Sequence, residues 1–295
     1  MTSSSQPDPL SLRRLEVLDS FMTFREAGSG AAIVFLHGNP TSSFVWRNVL
    51  PSVAPLGRCL APDLIGMGHS GKPDVSYRFA DHARYLDAWF SALDLREVVV
   101  VGFDWGGVLA IDWARRHPER VRGVVVFETF LQPMHWSDFP PQGAELFRAL
   151  RTPGIGEQLV LERNEFLPKS LANGVKNGLS DVARAEYYAP FPDPHSRRPM
   201  LQWPREIPIE GEPIDVAAIV EQNGKWLAAT PHVPKLLLTF DGKGLSNAPA
   251  VVEWAQNTIP NLDVVALGAA GHHAPEDAPS VIASAIATWL EQHFR

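Results

Sequence analysis

The sequence predicts an α/β fold: a mostly parallel central sheet flanked by helices, with a helical cap inserted into it. Three observations carry this. Short apolar strand runs alternate with helical stretches along the chain. In the middle of that alternation stands Gly102-Phe103-Asp104-Trp105-Gly106, a sharp strand–turn–helix signature. Between about Pro133 and Pro213 the strand runs stop, and prolines and aromatics crowd in.

Taken in order, residues 13–28 read as a strand pair leading in. Ala31 to Leu36 is a buried strand running straight into His37-Gly38-Asn39-Pro40. Arg58 to Pro62 is a short strand, and Tyr85 to Leu95 an amphipathic helix. Val98 to Val101 is an unbroken β-branched run, the pattern of a parallel strand buried on both faces. Gly107 to His117 reads as a helix ended by Pro118. Arg122 to Phe127 is a strand ending at Glu128, and Lys235–Phe240 and Leu262–Leu267 are two more. Val281 to Phe294 is a closing amphipathic helix. The division is therefore a core of residues 1–132 and 214–295 and a helical cap of residues 133–213. In open α/β sheets ligands bind beyond the carboxyl ends of the strands, so a cap there would enclose a pocket and exclude water.

The 295 residues fit one large α/β domain with an insertion. A net charge of −7 disfavours nucleic acid and anionic membranes as partners. One cysteine, Cys59, excludes an intramolecular disulfide and reads as a small buried apolar residue. Met1 to Pro9 is polar and lacks the apolar core of a secretory signal, and no stretch is apolar for long enough to span a bilayer. A cytoplasmic protein is expected. No His/Cys cluster has metal spacing and no Gly-rich phosphate loop follows the first strand, so neither a metal nor an organic cofactor is expected.

The chemistry turns on Asp104 at the elbow. A serine there would attack carbonyl carbon. A carboxylate suits displacement at saturated carbon, which leaves an alkyl ester on the enzyme. Water must then attack that ester with help from a general base, usually histidine. The bond broken would be carbon–halogen or an epoxide C–O.

Several further stretches stand in a fixed order around this elbow: His37-Gly38-Asn39-Pro40-Thr41-Ser42-Ser43, Pro62-Asp63-Leu64-Ile65-Gly66-Met67-Gly68-His69-Ser70-Gly71-Lys72-Pro73, Glu128, Gly211-Glu212-Pro213, and Gly271-His272 before Glu276-Asp277. With Asp104-Trp105-Gly106 they resemble the haloalkane dehalogenases of the α/β-hydrolase fold, from about Ile33 to Leu290. The resemblance implies Asp104 as nucleophile and the side-chain N–H groups of Asn39 and Trp105 as the halide site. Their backbone N–H groups would form the oxyanion hole. Counting back from Glu276-Asp277 selects His272, not the adjacent His273, as base, although Ala274-Pro275 departs from the family pattern. Glu128 is the expected acid behind the base. Asp241 is its rival, in a branch that keeps its acid slightly further into that loop, near Lys243. Phe147, Phe166 and Leu245 fall where the family lines its substrate pocket. His37 and Asp63 read as braces of loops, and Phe103, where the family often has histidine or glutamine, as packing. The implied partners are a small halogenated hydrocarbon and water, and the products halide, a proton and a primary alcohol.

Relatives with the same elbow compete. An epoxide hydrolase would need two cap tyrosines; Tyr187 or Tyr188 could be one, but Trp203-Pro204 stands where the second is expected. A fluoroacetate dehalogenase would carry arginines just after the nucleophile, and Gly106-Gly107-Val108-Leu109 has none. A coelenterazine luciferase resembles this branch in its key residues and is distinguished by light emission. A catalytically silent binding module would not need an intact Asp, His and acid.

Overall fold

The computed structural model describes residues 10–242 and 244–294; the readings made on Met1 to Pro9 and near Lys243 lie outside them. The strands are β1 (Leu12–Val17), β2 (Ser20–Ala27), β3 (Ala32–Leu36), β4 (Arg58–Pro62), β5 (Val98–Phe103), β6 (Val121–Phe127), β7 (Lys235–Thr239) and β8 (Leu262–Ala266). They form one sheet in the order β1-β2-β4-β3-β5-β6-β7-β8. The lead-in hairpin is antiparallel to the rest, and every pairing from β4 to β8 is parallel. β5 lies near the centre and is buried along its whole length, which is why it tolerates four valines in a row.

Helices of eight residues or more are labelled in chain order. α1 (Phe79–Ala92) and α2 (Trp105–Arg116) belong to the core. α1 runs from Phe79 to Ala92, starting earlier and ending earlier than the Tyr85 to Leu95 that its sequence pattern suggests. The helix start combines a local cap, Arg78 N–H donating to Asp81 Oδ2 at 3.2 Å, with a remote one, Phe79 N–H donating to Glu206 Oε2 at 2.9 Å from 127 residues away. The segment 133–213 contributes α3 (Pro141–Arg151), α4 (Phe166–Gly174), α5 (Asp181–Tyr188) and α6 (Arg198–Glu206). Its two ends meet: Met134 N–H donates to Pro208 O at 2.9 Å and Glu210 N–H to Met134 O at 2.9 Å.

Two helices were not evident in the sequence, α7 (Ile214–Ala229) and α8 (Pro249–Thr258). The buried face of α7 runs Val216, Ala217, Val220, Asn223, Gly224, Leu227, at helical spacing but broken by a polar residue and a glycine. Asn223 is satisfied there, accepting from Arg115 Nε at 2.9 Å and donating to Val108 O at 3.4 Å. Gly224 leaves room for the backbone of Leu131. α8 is mostly exposed and lacks a strong apolar stripe. α9 (Pro279–Phe294) closes the chain as expected. Cys59 is fully buried, and burial pushes its thiol up to about 12. Among the described residues no helix is long and apolar enough to cross a membrane.

The parallel strands end on one edge of the sheet. The residues that follow β3, β4, β5, β6 and β7 there are His37, Asp63, Asp104, Glu128 and Phe240. The candidate chemistry therefore gathers where this fold leaves room for a ligand.

Candidate active site

Asp104 occupies an unusual backbone conformation, φ 51° and ψ −132°, between the last residue of β5 and the first of α2. Such strain costs on the order of 1–3 kcal/mol and persists only where neighbours enforce it. They do so here. Asp104 N–H donates to Glu128 O at 2.9 Å, and the hydroxyl of buried Thr129 donates to Asp104 O at 2.7 Å. The flanking glycines have steric reasons. A Cβ on Gly102 would lie 2.3 Å from Gly106 O, and one on Gly106 2.2 Å from Leu36 O. On the facing loop, a Cβ on Gly38 would lie 2.3 Å from Asp104 Oδ1.

The carboxylate of Asp104 is buried and its two oxygens have different partners. Oδ1 accepts from Asn39 N–H at 2.7 Å, whereas Oδ2 lies 3.4 Å from His272 Nε2. On the far side of the ring, His272 Nδ1 is 2.8 Å from Glu128 Oε2. Glu128, also buried, sits one residue past β6 with φ 45°. The structure thus aligns Glu128, His272 and Asp104 in a single relay. Asp241 is exposed two residues past β7, and its N–H donates to Gly268 O at 2.8 Å. Trp105 is the first residue of α2, so its N–H has no acceptor inside the helix, and the positive end of the helix adjoins Asp104.

Burial works against a charge on His272, but hydrogen bonds to Asp104 and Glu128 and their negative charges outweigh it, raising the imidazole to about 10 from its ordinary 6.5. A raised folded-state value stabilises the fold fully below about 6.5 and loses that contribution as pH climbs towards 10. Lys72 and Lys235, each pushed down to about 8 by burial, act in the opposite sense above that pH. The informative quantity is therefore a difference. The urea midpoint of the wild type minus that of His272→Phe should shrink between pH 6 and pH 9.5. A constant difference would contradict the ion pairing of His272 with Asp104 and Glu128.

The remaining donors are held by one helix of the insertion. Asn39 Nδ2 donates to Met200 O at 3.3 Å. The indole of Trp105 stacks on Trp203 (centroids 4.6 Å apart, planes at 27°) and meets Phe130 edge-on at 4.8 Å. Met200 and Trp203 both lie on α6. That helix is tied to the core by buried Glu206, which accepts from Phe79 N–H at 2.9 Å and Arg78 Nε at 3.1 Å, and within α6 from Gln202 Nε2 at 2.8 Å. These contacts escaped the sequence reading. Met200 acts through its carbonyl, which carries no side-chain signal. Thr129 follows Glu128 without any motif of its own, and Trp203 stood out only as part of a Trp-Pro pair.

The other predicted residues fall as follows. His273 is fully buried, and burial together with the positive charge on His272 holds its ring well below the ordinary histidine range. It faces away from the relay: a Cβ on Gly174 of α4 would lie 2.5 Å from its Cδ2. His37 is a brace. Its Nε2 accepts from Leu64 N–H at 3.0 Å, which leaves the Nδ1 proton to donate to Gly38 O at 2.9 Å. Asp63 accepts from Ser43 N–H at 2.7 Å, Thr23 Oγ1 at 2.8 Å and His69 N–H at 2.8 Å, and so ties β2 and the segment after β3 to the loop after β4. Phe103 packs against Phe127 and Trp46 with its ring edge-on to His272 at 6.2 Å. Phe166 is buried at the start of α4, Phe147 packs on Phe139 at 5.1 Å, and Leu245 is half-buried in the turn after β7. Among the described residues no group of three or more His, Cys, Asp or Glu side chains could hold a metal ion.

Comparison with known proteins bears on this geometry. The family described as alpha/beta hydrolase fold matches residues 31–279. The chain is 50% identical over 283 residues to a haloalkane dehalogenase of Mesorhizobium japonicum, covering 95% of this chain and 91% of the relative. It is 42% identical over 300 residues to a haloalkane dehalogenase of Bradyrhizobium diazoefficiens, covering 97% and 96%. Among solved structures, haloalkane dehalogenase DbeA from Bradyrhizobium elkani superposes with a TM-score of 0.92 at 44% identity, covering 96% of this chain and 98% of that one.

Proposed function

The chain belongs to the haloalkane dehalogenases, and from that premise we propose that Asp104, His272 and Glu128 carry out the hydrolysis, with Asn39 and Trp105 receiving the halide. The enzyme is a hydrolase of carbon–halogen bonds acting on a halogenated hydrocarbon and water.

The observation that carries the assignment is the division of labour on Asp104. Asn39 N–H engages Oδ1 and leaves Oδ2 to attack the carbon bearing the halogen. The new C–O bond forms as the C–X bond breaks, and X leaves with the electron pair. The side-chain N–H groups of Asn39 and Trp105 receive the anion. Donors already in place in a dry site need no reorganisation as charge develops, and losing one typically costs about 2.7–4 kcal/mol of barrier. Esterification then removes the negative charge of Asp104. This weakens one of the two interactions that hold the proton on His272. The ring loses that proton and becomes a base in the state that needs one. Water attacks Cγ of the ester and gives its proton to Nε2. The negative charge grows on Oδ1, against the Asn39 and Trp105 backbone N–H groups. Glu128 holds the ring tautomer and supports the imidazolium. Collapse of the intermediate expels the alkoxide, which takes the proton from His272 and leaves as the primary alcohol. The Asp104 carboxylic acid left behind passes its proton to His272, restoring the starting pair, so the one proton released per turnover is the one the ring gave up on esterification.

The insertion, residues 133–213, acts as a cap that excludes water, with its Phe147 and Phe166, together with Leu245 in the turn after β7, lining the substrate pocket. An epoxide-opening cap is disfavoured, because Tyr187 donates its hydroxyl to Glu276 Oε1 at 2.5 Å and Trp203 stacks on Trp105. Product analysis tests the reading. With 1-bromobutane the enzyme should release bromide and 1-butanol in equal amounts and leave 1,2-epoxybutane untouched. Diol from the epoxide without bromide from the haloalkane would overturn it.

A further inference from the structure

The carboxylate of Asp277 collects three backbone N–H groups from two separate stretches of chain. Oδ2 accepts from Gly271 N–H at 2.8 Å and from Lys176 N–H at 2.8 Å, and Oδ1 accepts from Asn177 N–H at 2.8 Å. Gly271 immediately precedes His272. Lys176 and Asn177 follow α4 in the insertion. The same two segments touch at bare backbone beside this knot. His273 N–H donates to Gly174 O at 2.8 Å, and a Cβ on Gly271 would lie 2.3 Å from that oxygen. The neighbouring residue secures the loop to the core. Glu276 forms a two-pronged ion pair with Arg47, at 2.5 and 2.9 Å. The 271–277 loop is therefore held by consecutive acids: Asp277 ties its start to the stretch after α4, and Glu276 joins Arg47 of the core and Tyr187 of α5.

We infer that Asp277 is a positioning residue for the second chemical step: by fixing the backbone at Gly271 to the end of α4, it sets where His272 Nε2 stands relative to the ester. The inference rests on His272 being the base. The physical reason is orientational. The ring is already fixed at Nδ1 by Glu128, so its remaining freedom lies in the backbone that delivers it. Displacement of a catalytic group by about 1 Å can cost on the order of 10²-fold in rate. Alkylation does not call on His272 as a base, so it should be spared. Hydrogen bonds from three donors to an anion are also stronger than neutral ones, and an amide at this position would turn its NH₂ towards at least one N–H.

The test is Asp277→Asn, followed by rapid quench with 1-bromobutane and by intact-mass measurement. Bromide should appear in a burst at the wild-type alkylation rate. Steady-state kcat should fall by about 10²-fold, and the protein should carry a butyl ester during turnover. Asp277→Glu keeps the charge but overreaches by one methylene, and should show the same selective slowing to a smaller degree; it serves if the asparagine variant folds poorly. Unchanged kcat, or a burst rate that falls together with kcat and no ester, would overturn the inference. Failure of the underlying reading is distinguishable: it would appear as wild-type turnover with no ester in His272→Phe.

Discussion

Asp104→Ala should abolish bromide release from 1-bromobutane, with a loss on the order of 10⁶-fold, the scale seen when the nucleophile of a cooperating triad is removed. The size follows from what disappears. Without Oδ2 no covalent path exists, and water would have to displace the halide unaided by a carboxylate at 3.4 Å from the base. The elbow itself should survive, because its turn is held by main-chain contacts: Asp104 N–H to Glu128 O and Thr129 Oγ1 to the residue 104 carbonyl. Circular dichroism should match the wild type. A second readout separates chemistry from folding. The imidazole of His272 is held near 10 in part by Asp104, so its titration, followed by NMR, should move downwards in the variant. Activity within tenfold of wild type would reject Asp104 as nucleophile.

Much of this site was legible in the sequence, for identifiable reasons. The elbow is a local device. Four valines, two glycines without room for Cβ atoms and a helix that begins at once all lie within ten residues. Glu128 and His272 are remote in sequence, but each follows a strand at the same edge of a parallel sheet. The order of strands and the motif spacing therefore pointed to them ahead of Asp241 and His273, and the folded chain brings Glu128 Oε2 to 2.8 Å from His272 Nδ1. What escaped was carried by contacts that leave no local trace. The bond from Phe79 N–H at the start of α1 goes to Glu206, 127 residues away, and α7 hides its stripe because Asn223 and Gly224 occupy buried positions. The grip of α6 on Asn39 runs through the carbonyl of Met200, which any residue could supply. Glu276-Asp277 served as a counting mark in the sequence; only the folded chain reveals that Glu276 pairs with Arg47 while Asp277 accepts from Gly271 N–H beside His272.

The most direct test of the account is mass spectrometry of His272→Phe after incubation with 1-bromobutane. Phenylalanine keeps the volume of the ring and removes the proton acceptor. Alkylation should proceed, whereas hydrolysis should slow by about 10²–10⁴-fold, the usual worth of a positioned general base. The variant should release one equivalent of bromide, then stop, and the peptide containing Asp104 should be heavier by one butyl group. Continued bromide release from a protein whose Asp104 peptide stays unmodified would contradict the covalent mechanism.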